Sequence, residues 1–191
     1  LPVKMFLRIS SGFLKARRFR VPATSLRPTC EKIRAAFFNS LFSMINFENR
    51  NFLDLFSGSG AFAFESVSRG FSSACAIEID FKSAEQIRQS SKELGLDEFI
   101  DVINKDAFSI DSNCFSGTKF SAVYIDPPYA MGEKMPNLLE RICSCDIIDE
   151  VCVICVEGSN LTQWSRDGWT NRNKKFGDTH LSFFYNWEDA K

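Results

Sequence analysis

The chain has 191 residues, of which 45% are hydrophobic and 25% are charged, and its formal net charge at pH 7 is −1. This length and composition suffice for one domain with a complete core and a small extension. No run of eighteen apolar residues and no apolar signal segment occurs, so a membrane-spanning or secreted protein is not expected. The sequence begins at Leu1, and we expect Met5 to be the natural start, with Leu1 to Lys4 not native.

The seven cysteines form no regular framework, which is typical of reduced thiols in the cytoplasm. Cys152 and Cys155 lie in a predicted strand, Val151–Val156, where their odd separation places the side chains on opposite faces. We therefore expect buried thiols and no metal site, and we expect the single histidine, His180, to be structural. Four cysteines would otherwise be candidate zinc ligands: Cys143, Cys145, Cys152 and Cys155.

The predicted elements begin with a hairpin. The segments Met5–Ile9 and Arg17–Val21 are typical of two short strands, and Ser10-Ser11-Gly12 lies in the connection between them. A helix is expected from Thr29, its N-cap, to about Met44.

From Asn51 to about Val156 the sequence alternates between apolar runs and helical patterns. Such alternation predicts a parallel sheet covered by helices on both faces. The last part differs, because two runs flank Gly177-Asp178-Thr179 and indicate an antiparallel hairpin, Trp169–Phe176 with His180–Trp187. We expect a hairpin extension over residues 1–25 and one domain over residues 26–191. The expected helices of the alternating part are Ala61–Arg69, Ser83–Leu94 and Asn137–Cys143.

The near-neutral total charge hides an asymmetry. Residues 1–34 contain nine basic residues and one acidic residue, whereas the remainder contains 14 basic and 23 acidic residues. A basic arm on an acidic body, interspersed with Phe6, Phe13 and Phe19, predicts contact with a nucleic-acid backbone. The alternative is a charged face that only contacts solvent. The candidate nucleic-acid-binding residues are Arg8, Lys15, Arg17, Arg18 and Arg27.

A glycine-rich loop follows the first strand of the alternating part. The apolar run Asn51–Phe56 precedes Ser57-Gly58-Ser59-Gly60, which opens a helical pattern. Glycines at such a turn let the backbone approach a ligand at the carboxyl ends of the strands. The loop lacks the third glycine of the dinucleotide fingerprint, which disfavours NAD, and it lacks the Gly-Lys-Ser/Thr of a phosphate-binding loop. S-adenosylmethionine, which has no phosphate, fits what remains.

Acidic residues occur near the ends of four predicted strands. Glu78 follows the glycine loop by about twenty residues, where nucleotide-binding α/β folds place an acid that accepts hydrogen bonds from ribose hydroxyls. The regular spacing predicts that the acids line one edge of the sheet. The candidate cofactor-binding residues are Asp54, Gly58, Gly60, Glu78 and Asp106, and the fourth acid is Asp126.

The tetrapeptide Asp126-Pro127-Pro128-Tyr129 directly follows the apolar run Ala122–Ile125. The Asp126 carboxylate and the Pro127 carbonyl can each accept a hydrogen bond from one NH2 group, and prolines offer no competing N–H donors. Tyr129 supplies a flat face on which a nucleobase can stack. We interpret Asp126, Pro127 and Tyr129 as catalytic residues that hold an exocyclic amine for attack on an electrophile. The alternative is a plain Pro-Pro turn after a strand.

Taken together, these motifs resemble the RsmD family of bacterial 16S ribosomal RNA guanine-N2 methyltransferases over almost the whole chain. Three positions depart from the family pattern: Ala16 and Lys105 replace expected glycines, and Ile79 interrupts the usual Glu-Lys-Asp. The residues that carry the resemblance are Arg8–Gly12, Arg27-Pro28-Thr29, Lys32–Arg34, Phe38-Asn39, Leu53–Gly60, Glu65, Ser68-Arg69-Gly70, Glu78, Asp106-Ala107, Asp126–Tyr129, Val156-Glu157 and Gly177-Asp178-Thr179.

The resemblance implies a Rossmann-like class I methyltransferase fold, with a seven-stranded, mostly parallel sheet whose last strand is antiparallel. It also implies S-adenosylmethionine as the donor and a guanine of 16S rRNA in the small ribosomal subunit, guanine 966, as the acceptor. A cytoplasmic monomer without a metal is expected. Because a carboxylate is too weak a base to deprotonate the neutral amine, Asp126 is expected to orient it and to stabilise its growing positive charge.

Two other function classes stay open from the residues. One is methylation of a different planar amine, such as adenine N6 in DNA or a glutamine amide in a protein. The other is a non-catalytic RNA-binding protein on the same scaffold. The intact glycine loop, Glu78 and Asp126 argue against the second class.

Overall fold

The computed structural model describes residues 5–21 and 30–187. Arg27 and Thr29, together with Leu1 to Lys4, lie outside the described residues. In the described part the helices are α1 (Cys30–Phe42), α2 (Ala61–Ser68), α3 (Phe81–Leu94) and α4 (Met135–Ser144). The strands are β1 (Met5–Arg8), β2 (Arg18–Val21), β3 (Asn51–Leu55), β4 (Ser73–Glu78), β5 (Ile100–Asn104), β6 (Phe120–Ile125), β7 (Ile148–Gly158), β8 (Thr170–Phe176) and β9 (Thr179–Tyr185).

Seven strands form one sheet in the order β5-β4-β3-β6-β7-β9-β8. The pairs among β3 to β7 are parallel, and β9 is antiparallel to both β7 and β8. The short turn at Gly177-Asp178 leaves no room for a crossover, so β8 and β9 pair in antiparallel fashion. These findings confirm the predicted fold class and the antiparallel last strand.

Both faces of the sheet are buried along β3, β4, β6 and the middle of β7, and the side chains there alternate between two hydrophobic clusters. One cluster contains α1, α2 and α3, and the other contains α4 and the short turns after β5. Within β7, Cys152 belongs to the α4 cluster and Cys155 to the opposite one. The predicted placement of these two thiols on opposite faces is therefore confirmed.

Two helices begin earlier than the sequence pattern predicts. The Asp80 side chain accepts a hydrogen bond from the backbone N–H of Ser83 at 2.8 Å, which caps α3 and starts it at Phe81. Helix α4 starts at Met135, with Pro136 in its first turn, where the missing N–H costs no hydrogen bond.

Aromatic rings fill the space between α1 and the sheet. Phe37 of α1 has ring-centroid distances of 4.9 Å to both Phe38 and Tyr124. Tyr124 of β6 also stacks on Phe62 of α2, with centroids 3.7 Å apart and an angle of 14° between the ring planes. Edge-on and stacked pairs of this kind stabilise a core beyond the area that they bury. The rings fix Tyr124 directly below the carboxyl end of its strand.

The β1–β2 hairpin packs against α2. Phe19 is buried and meets Phe64 edge-on at 4.8 Å, so it belongs to the core and not to the exposed arm, where Phe6 and Phe13 lie. At the hairpin loop, Phe13 donates a backbone hydrogen bond of 2.9 Å to the Ser68 carbonyl. Gly12 has a φ of +84°, and a Cβ there would lie 1.7 Å from that carbonyl oxygen. Only glycine fits this approach.

A buried carboxylate joins the hairpin, α1 and α2. Glu65 is fully buried and accepts hydrogen bonds from Arg34 Nε at 2.5 Å, from Arg69 Nη2 at 2.7 Å and from the Ser10 hydroxyl. Arg34 also donates to the carbonyl of Arg8 at 2.8 Å. Burial by itself would raise the pKa of Glu65, but the Arg34 charge and the hydrogen bonds outweigh it, and the pKa lies below its ordinary value.

The three tryptophans lie beside β8 and β9. Trp164 meets Trp169 at 5.4 Å and Phe184 at 5.1 Å, and Trp187 packs on Tyr185 at 4.8 Å. Along residues 5–21 and 30–187, no helix combines the length and apolar character needed to cross a membrane.

Candidate active site

The carboxyl ends of β3, β4 and β6 bring three of the predicted acids together. Leu55 of β3 pairs with Ile77 of β4 and with Ile125 of β6, so the residues at these strand ends lie side by side. The negative charges of Asp126 and Glu78 both reach Asp54 and contribute to raising its pKa. The predicted edge of acids is therefore present, and we name it the strand-end cleft.

Glu78 fastens the glycine loop to the end of β4. One carboxylate oxygen accepts from the backbone N–H of Gly58 at 2.7 Å, and the other accepts from Asp80 at 2.8 Å. The side chain is buried except for 8% of its surface. A carboxylate has about four acceptor positions, so these two bonds leave capacity for hydroxyl donors. Glu78 can thus shape the loop and bind a ligand at the same time.

The glycine loop is open at Gly58. Gly58 has a φ of +53°, and a Cβ there would meet only the Phe56 carbonyl oxygen, at 4.0 Å. Gly60 has a φ of +75° and donates its N–H to Ser57 at 2.8 Å, which closes the turn before α2. Phe56 adopts a φ of +63°, a conformation that costs a non-glycine residue roughly 1–2 kcal/mol. A strained, open backbone here suits close contact with a ligand.

Asp54 is a buried acid without a basic partner among its interactions in the described residues. It is 2% exposed, and its Oδ2 accepts a hydrogen bond from the backbone N–H of Ala63 at 3.2 Å. Burial raises its pKa well above 3.8, the Ala63 bond opposes this, and the charges of Asp126 and Glu78 raise it further. A cation in the cleft would relieve this electrostatic cost.

Asp106 lies at the next strand end, after β5. Its Oδ1 accepts from the backbone N–H of Phe108 at 3.0 Å and caps a short turn, Ala107–Ser109. Lys105, which replaces an expected glycine, directs its ammonium to Cys114 Sγ at 3.1 Å and toward Asp111 at 4.0 Å.

The acceptor motif follows β6 directly. Asp126 and Pro128 are exposed and Pro127 is half-buried, so the motif reaches solvent at the cleft. The Pro128 carbonyl accepts from Met131 at 2.8 Å and begins the turn Tyr129–Lys134, whereas the Tyr129 side chain lies outside what the structure describes. Beside the motif is a cavity of about 530 Å³, bordered by Pro127, Pro128 and the end of β7 from Val156 to Gly158.

Sequence reasoning assigned no role to Tyr124 and Glu157. The Tyr124 hydroxyl donates a hydrogen bond to Glu157 Oε2. Burial, followed by the charges of Asp126 and Glu157, raises the pKa of Tyr124 well above its ordinary value, so the hydroxyl stays a donor. Glu157 directly follows the apolar run Val151–Val156 near the end of β7, and the rule that selected the other strand-end acids would have found it.

Apolar groups beside the cleft were also missed. Ile79 directly follows Glu78 and is 66% exposed, which is unusual for its size. On the β5 side, Phe108 meets Phe56 edge-on at 5.8 Å. An exposed apolar side chain at this position offers a surface on which a planar ring can pack.

The predicted RNA-binding residues lie away from the cleft. Lys15, Arg17 and Arg18 are exposed, and Arg17 Nη2 donates to the Glu93 carbonyl at 3.5 Å near the end of α3. Because α3 starts beside the cleft and has 14 residues, this tip lies about 20 Å along the helix from it. Arg8 is 57% exposed and pairs with Glu31 at 3.2 Å, and Arg27 is outside the described residues.

The sheet order, the antiparallel last strand and the acids at the strand ends define the fold of a Rossmann-like class I methyltransferase. A family model described as "Conserved hypothetical protein 95" matches residues 7–185. The chain belongs to this family, which confirms the resemblance to the RsmD methyltransferases.

Individual relatives agree with this assignment. The chain is 32% identical over 185 residues to the Bacillus subtilis (strain 168) protein named "Putative rRNA methyltransferase YlbH", covering 93% of this chain and 98% of the relative. It is 34% identical over 137 residues to the Ribosomal RNA small subunit methyltransferase D of Escherichia coli (strain K12), covering 70% and 67%. The solved structure "Putative methyltransferase yhhF from Escherichia coli" superposes with a TM-score of 0.79 at 27% identity, covering 97% of this chain and 100% of that chain.

Proposed function

We propose that the protein transfers a methyl group from S-adenosylmethionine to the exocyclic N2 of a guanine in the 16S rRNA of the small ribosomal subunit. One observation carries the proposal: Asp126, with the two prolines after it, lies beside Asp54, Glu78 and the open glycine loop. Methylation of ribosomal RNA is supported by the relatives whose names state that activity. The choice of guanine N2 rests on the acceptor motif and the family.

The residues around the glycine loop fit the donor. We assign the ribose hydroxyls to Glu78, the adenine ring to the region of Ile79, Asp106 and Phe108, and the close backbone approach to Gly58. The buried charge of Asp54 favours the positive amino acid end of the donor. When bound, S-adenosylmethionine supplies an electrophilic methyl group, which needs no activation by the protein.

The acceptor residues make the guanine amine a better nucleophile. The lone pair of this nitrogen is delocalised into the ring. Hydrogen bonds from its two hydrogens to the Asp126 carboxylate and the Pro127 carbonyl favour a more tetrahedral nitrogen, whose lone pair then points to the methyl group. On transfer the nitrogen would take the methyl group as the sulfonium keeps the C–S bonding pair, Asp126 would stabilise the positive charge on nitrogen, and that nitrogen would then release one proton to water.

The basic arm extends the RNA contact beyond the cleft. Lys15, Arg17 and Arg18 are exposed at the hairpin tip beside the exposed ring of Phe13. Their distance from the cleft requires RNA that reaches around the side of the domain, so we expect a structured RNA and not a short single strand. Arg8 belongs to the same proposed surface, and Arg27, outside the described residues, stays a predicted RNA contact.

Methyl-transfer assays test the activity. Radiolabelled methyl groups are offered with assembled small subunits, free 16S rRNA, duplex DNA and protein, and the product base is identified after digestion. We expect N2-methylguanine in ribosomal RNA and at least a ~100-fold loss of transfer in Asp126→Ala, with cofactor affinity by calorimetry unchanged. Asp167→Ala, at an exposed acid in the segment between β7 and β8, is the control. Methyladenine in DNA, methylglutamine or full activity of Asp126→Ala would refute the proposal.

Salt-dependent filter binding tests the arm. Reversing Lys15, Arg17 and Arg18 to Glu should weaken binding to the RNA substrate most strongly at low salt, because phosphate contacts release counterions. Cofactor affinity should not change. Equal RNA affinities of mutant and wild type at low salt would mean that the arm is only a solvated charged face.

A further inference from the structure

Glu157 lies next to the acceptor motif. Ile125 of β6 pairs with Val156 of β7, so the residues that follow them, Asp126 and Glu157, come from adjacent strand ends. Glu157 also borders the cavity of about 530 Å³ whose other wall contains Pro127 and Pro128. The carboxylate thus has a place beside the group that would hold the acceptor amine.

The Tyr124 hydroxyl fixes the direction of this carboxylate. Tyr124 is 1% exposed, and its ring is held between Phe37 and Phe62 at centroid distances of 4.9 Å and 3.7 Å. A ring packed in this way cannot rotate away, and its buried hydroxyl requires a hydrogen-bond acceptor. Glu157 Oε2 is that acceptor. The packed Tyr124 ring therefore holds the Glu157 carboxylate in a fixed orientation.

We propose that Glu157 determines specificity for guanine by accepting a hydrogen bond from its ring N1–H. This inference rests on the proposed function. It gives Glu157 a role in recognising the base, which the methyl-transfer step itself does not require. Guanine presents three hydrogens along this edge, two on the 2-amino group and one on N1. Asp126 and the Pro127 carbonyl take the first two, and Glu157 takes the third.

The same geometry disfavours adenine. Adenine carries an unprotonated N1, which is an acceptor, and a carboxylate facing it leaves two acceptors opposed without a hydrogen between them. A site built to hydrogen-bond a substrate N–H rejects an analogue that lacks it, because the carboxylate then faces an acceptor instead of a donor. Glu157 would thus separate the proposed reaction from adenine methylation on a related scaffold.

Glu157→Gln tests the proposal, because it keeps the shape and the acceptor for Tyr124 but removes the charge. Methyl transfer is measured on small subunits, and on two structured 16S rRNAs, assembled by ligation, that carry guanine or 2-aminopurine at the target. The latter base keeps the 2-amino group but lacks N1–H. Glu150→Gln, at an exposed position near the start of β7, is the matched control. Tyr124→Phe removes only the hydroxyl that orients Glu157.

We expect Glu157→Gln to lose about tenfold or more in kcat/KM on small subunits, with unchanged cofactor affinity and unfolding midpoint. The preference for guanine over 2-aminopurine should be about tenfold or more in the wild type, should collapse in Glu157→Gln and should shrink in Tyr124→Phe. If Glu157→Gln had the same kcat/KM as the wild type, or the same preference for guanine over 2-aminopurine, the role assigned to Glu157 would be wrong. Failure of the wild type to methylate guanine in any RNA would instead refute the proposed function.

Discussion

The hairpin junction and the strand-end cleft each contain a buried carboxylate, and the two behave in opposite ways. Glu65 at the junction is fully buried and is surrounded by Arg34, Arg69 and Ser10, so its pKa is lowered. Asp54 in the cleft is 2% exposed and has acids as its charged neighbours, so its pKa is raised. The two carboxylates are buried to the same degree, so their opposite pKa shifts come from the groups that surround them.

Under the proposed function, this contrast separates a structural acid from one that binds a ligand. At the junction the protein itself supplies the positive charge, and the ion cluster holds hairpin, α1 and α2 together. In the cleft the positive charge is left for a ligand, which is the electrostatic pattern expected of a binding site. The two sites are linked by α2, which begins beside Asp54 and carries Glu65 in its second turn.

The largest expected effect comes from breaking the junction. Glu65→Gln leaves the buried Arg34 without its counter-charge and should lower the free energy of unfolding by about 3–5 kcal/mol. Denaturant titration followed by far-UV circular dichroism measures this. Glu140→Gln, at a half-exposed acid paired with Arg166 at 2.7 Å, should cost less than about 1 kcal/mol.

The stability difference between the wild type and Glu65→Gln should depend on pH. Because the folded-state pKa of Glu65 is depressed, its contribution is present above the ordinary value of 4.5 and is lost as the pH falls through the folded-state value. The stability gap between wild type and Glu65→Gln should therefore narrow on acidification below pH 4.5. A gap that widens there would contradict the assigned charge state.

The next largest effect tests the hairpin loop. Gly12→Ala combines an unfavourable φ with a collision against the Ser68 carbonyl, and we expect a loss of about 3 kcal/mol. Gly117 has nearly the same φ, +82°, but no atom within 4 Å of a built Cβ. Gly117→Ala should thus cost only about 1 kcal/mol. Equal losses in both variants would show that the close approach to α2 contributes nothing.

Removing the Asp54 charge from the cleft should raise the free energy of unfolding, whereas removing the Glu65 charge should lower it. Asp54→Asn keeps an acceptor for Ala63 but no longer buries a carboxylate, so it should stabilise the free protein at neutral pH by about 1 kcal/mol. Since the folded-state pKa of Asp54 is raised, this gain should be absent below pH 3.8, grow as the pH rises from there to the folded-state value, and stay constant above it. Calorimetry should show weaker binding of S-adenosylmethionine. A destabilised variant with normal binding would place Asp54 with Glu65 as a structural acid.

The smallest effect concerns the hairpin turn. Ala16 stands where the resemblance predicts glycine, and it adopts a φ of +70°. Ala16→Gly should remove this strain and stabilise the protein by about 0.5 kcal/mol, less than the full penalty because glycine also gains freedom in the unfolded chain. A thermal melt that compares the two proteins is sufficient. A lower midpoint for the variant would mean that the turn tolerates Ala16 without strain.

The strand ends could be predicted from the sequence because each lies next to a local signal. Asp126 and Glu78 directly end apolar runs, and parallel pairing then brings them to one edge. Long-range partners leave no such signal. Arg34 and Glu65 are 31 positions apart, and Tyr124 and Glu157 are 33 apart, on elements whose relative placement depends on the whole fold. Phe19 was grouped with the exposed arm because composition does not reveal which face of a short strand is covered.

The position of the tryptophans determines what intrinsic fluorescence can report. All three lie beside β8 and β9, at the opposite side of the domain from the β1–β2 hairpin. A hairpin that detached from α2 while the sheet stayed intact would leave the emission spectrum unchanged. Probe-dependent unfolding curves, with the dichroism signal changing before the fluorescence, would therefore reveal the hairpin as a separately opening unit.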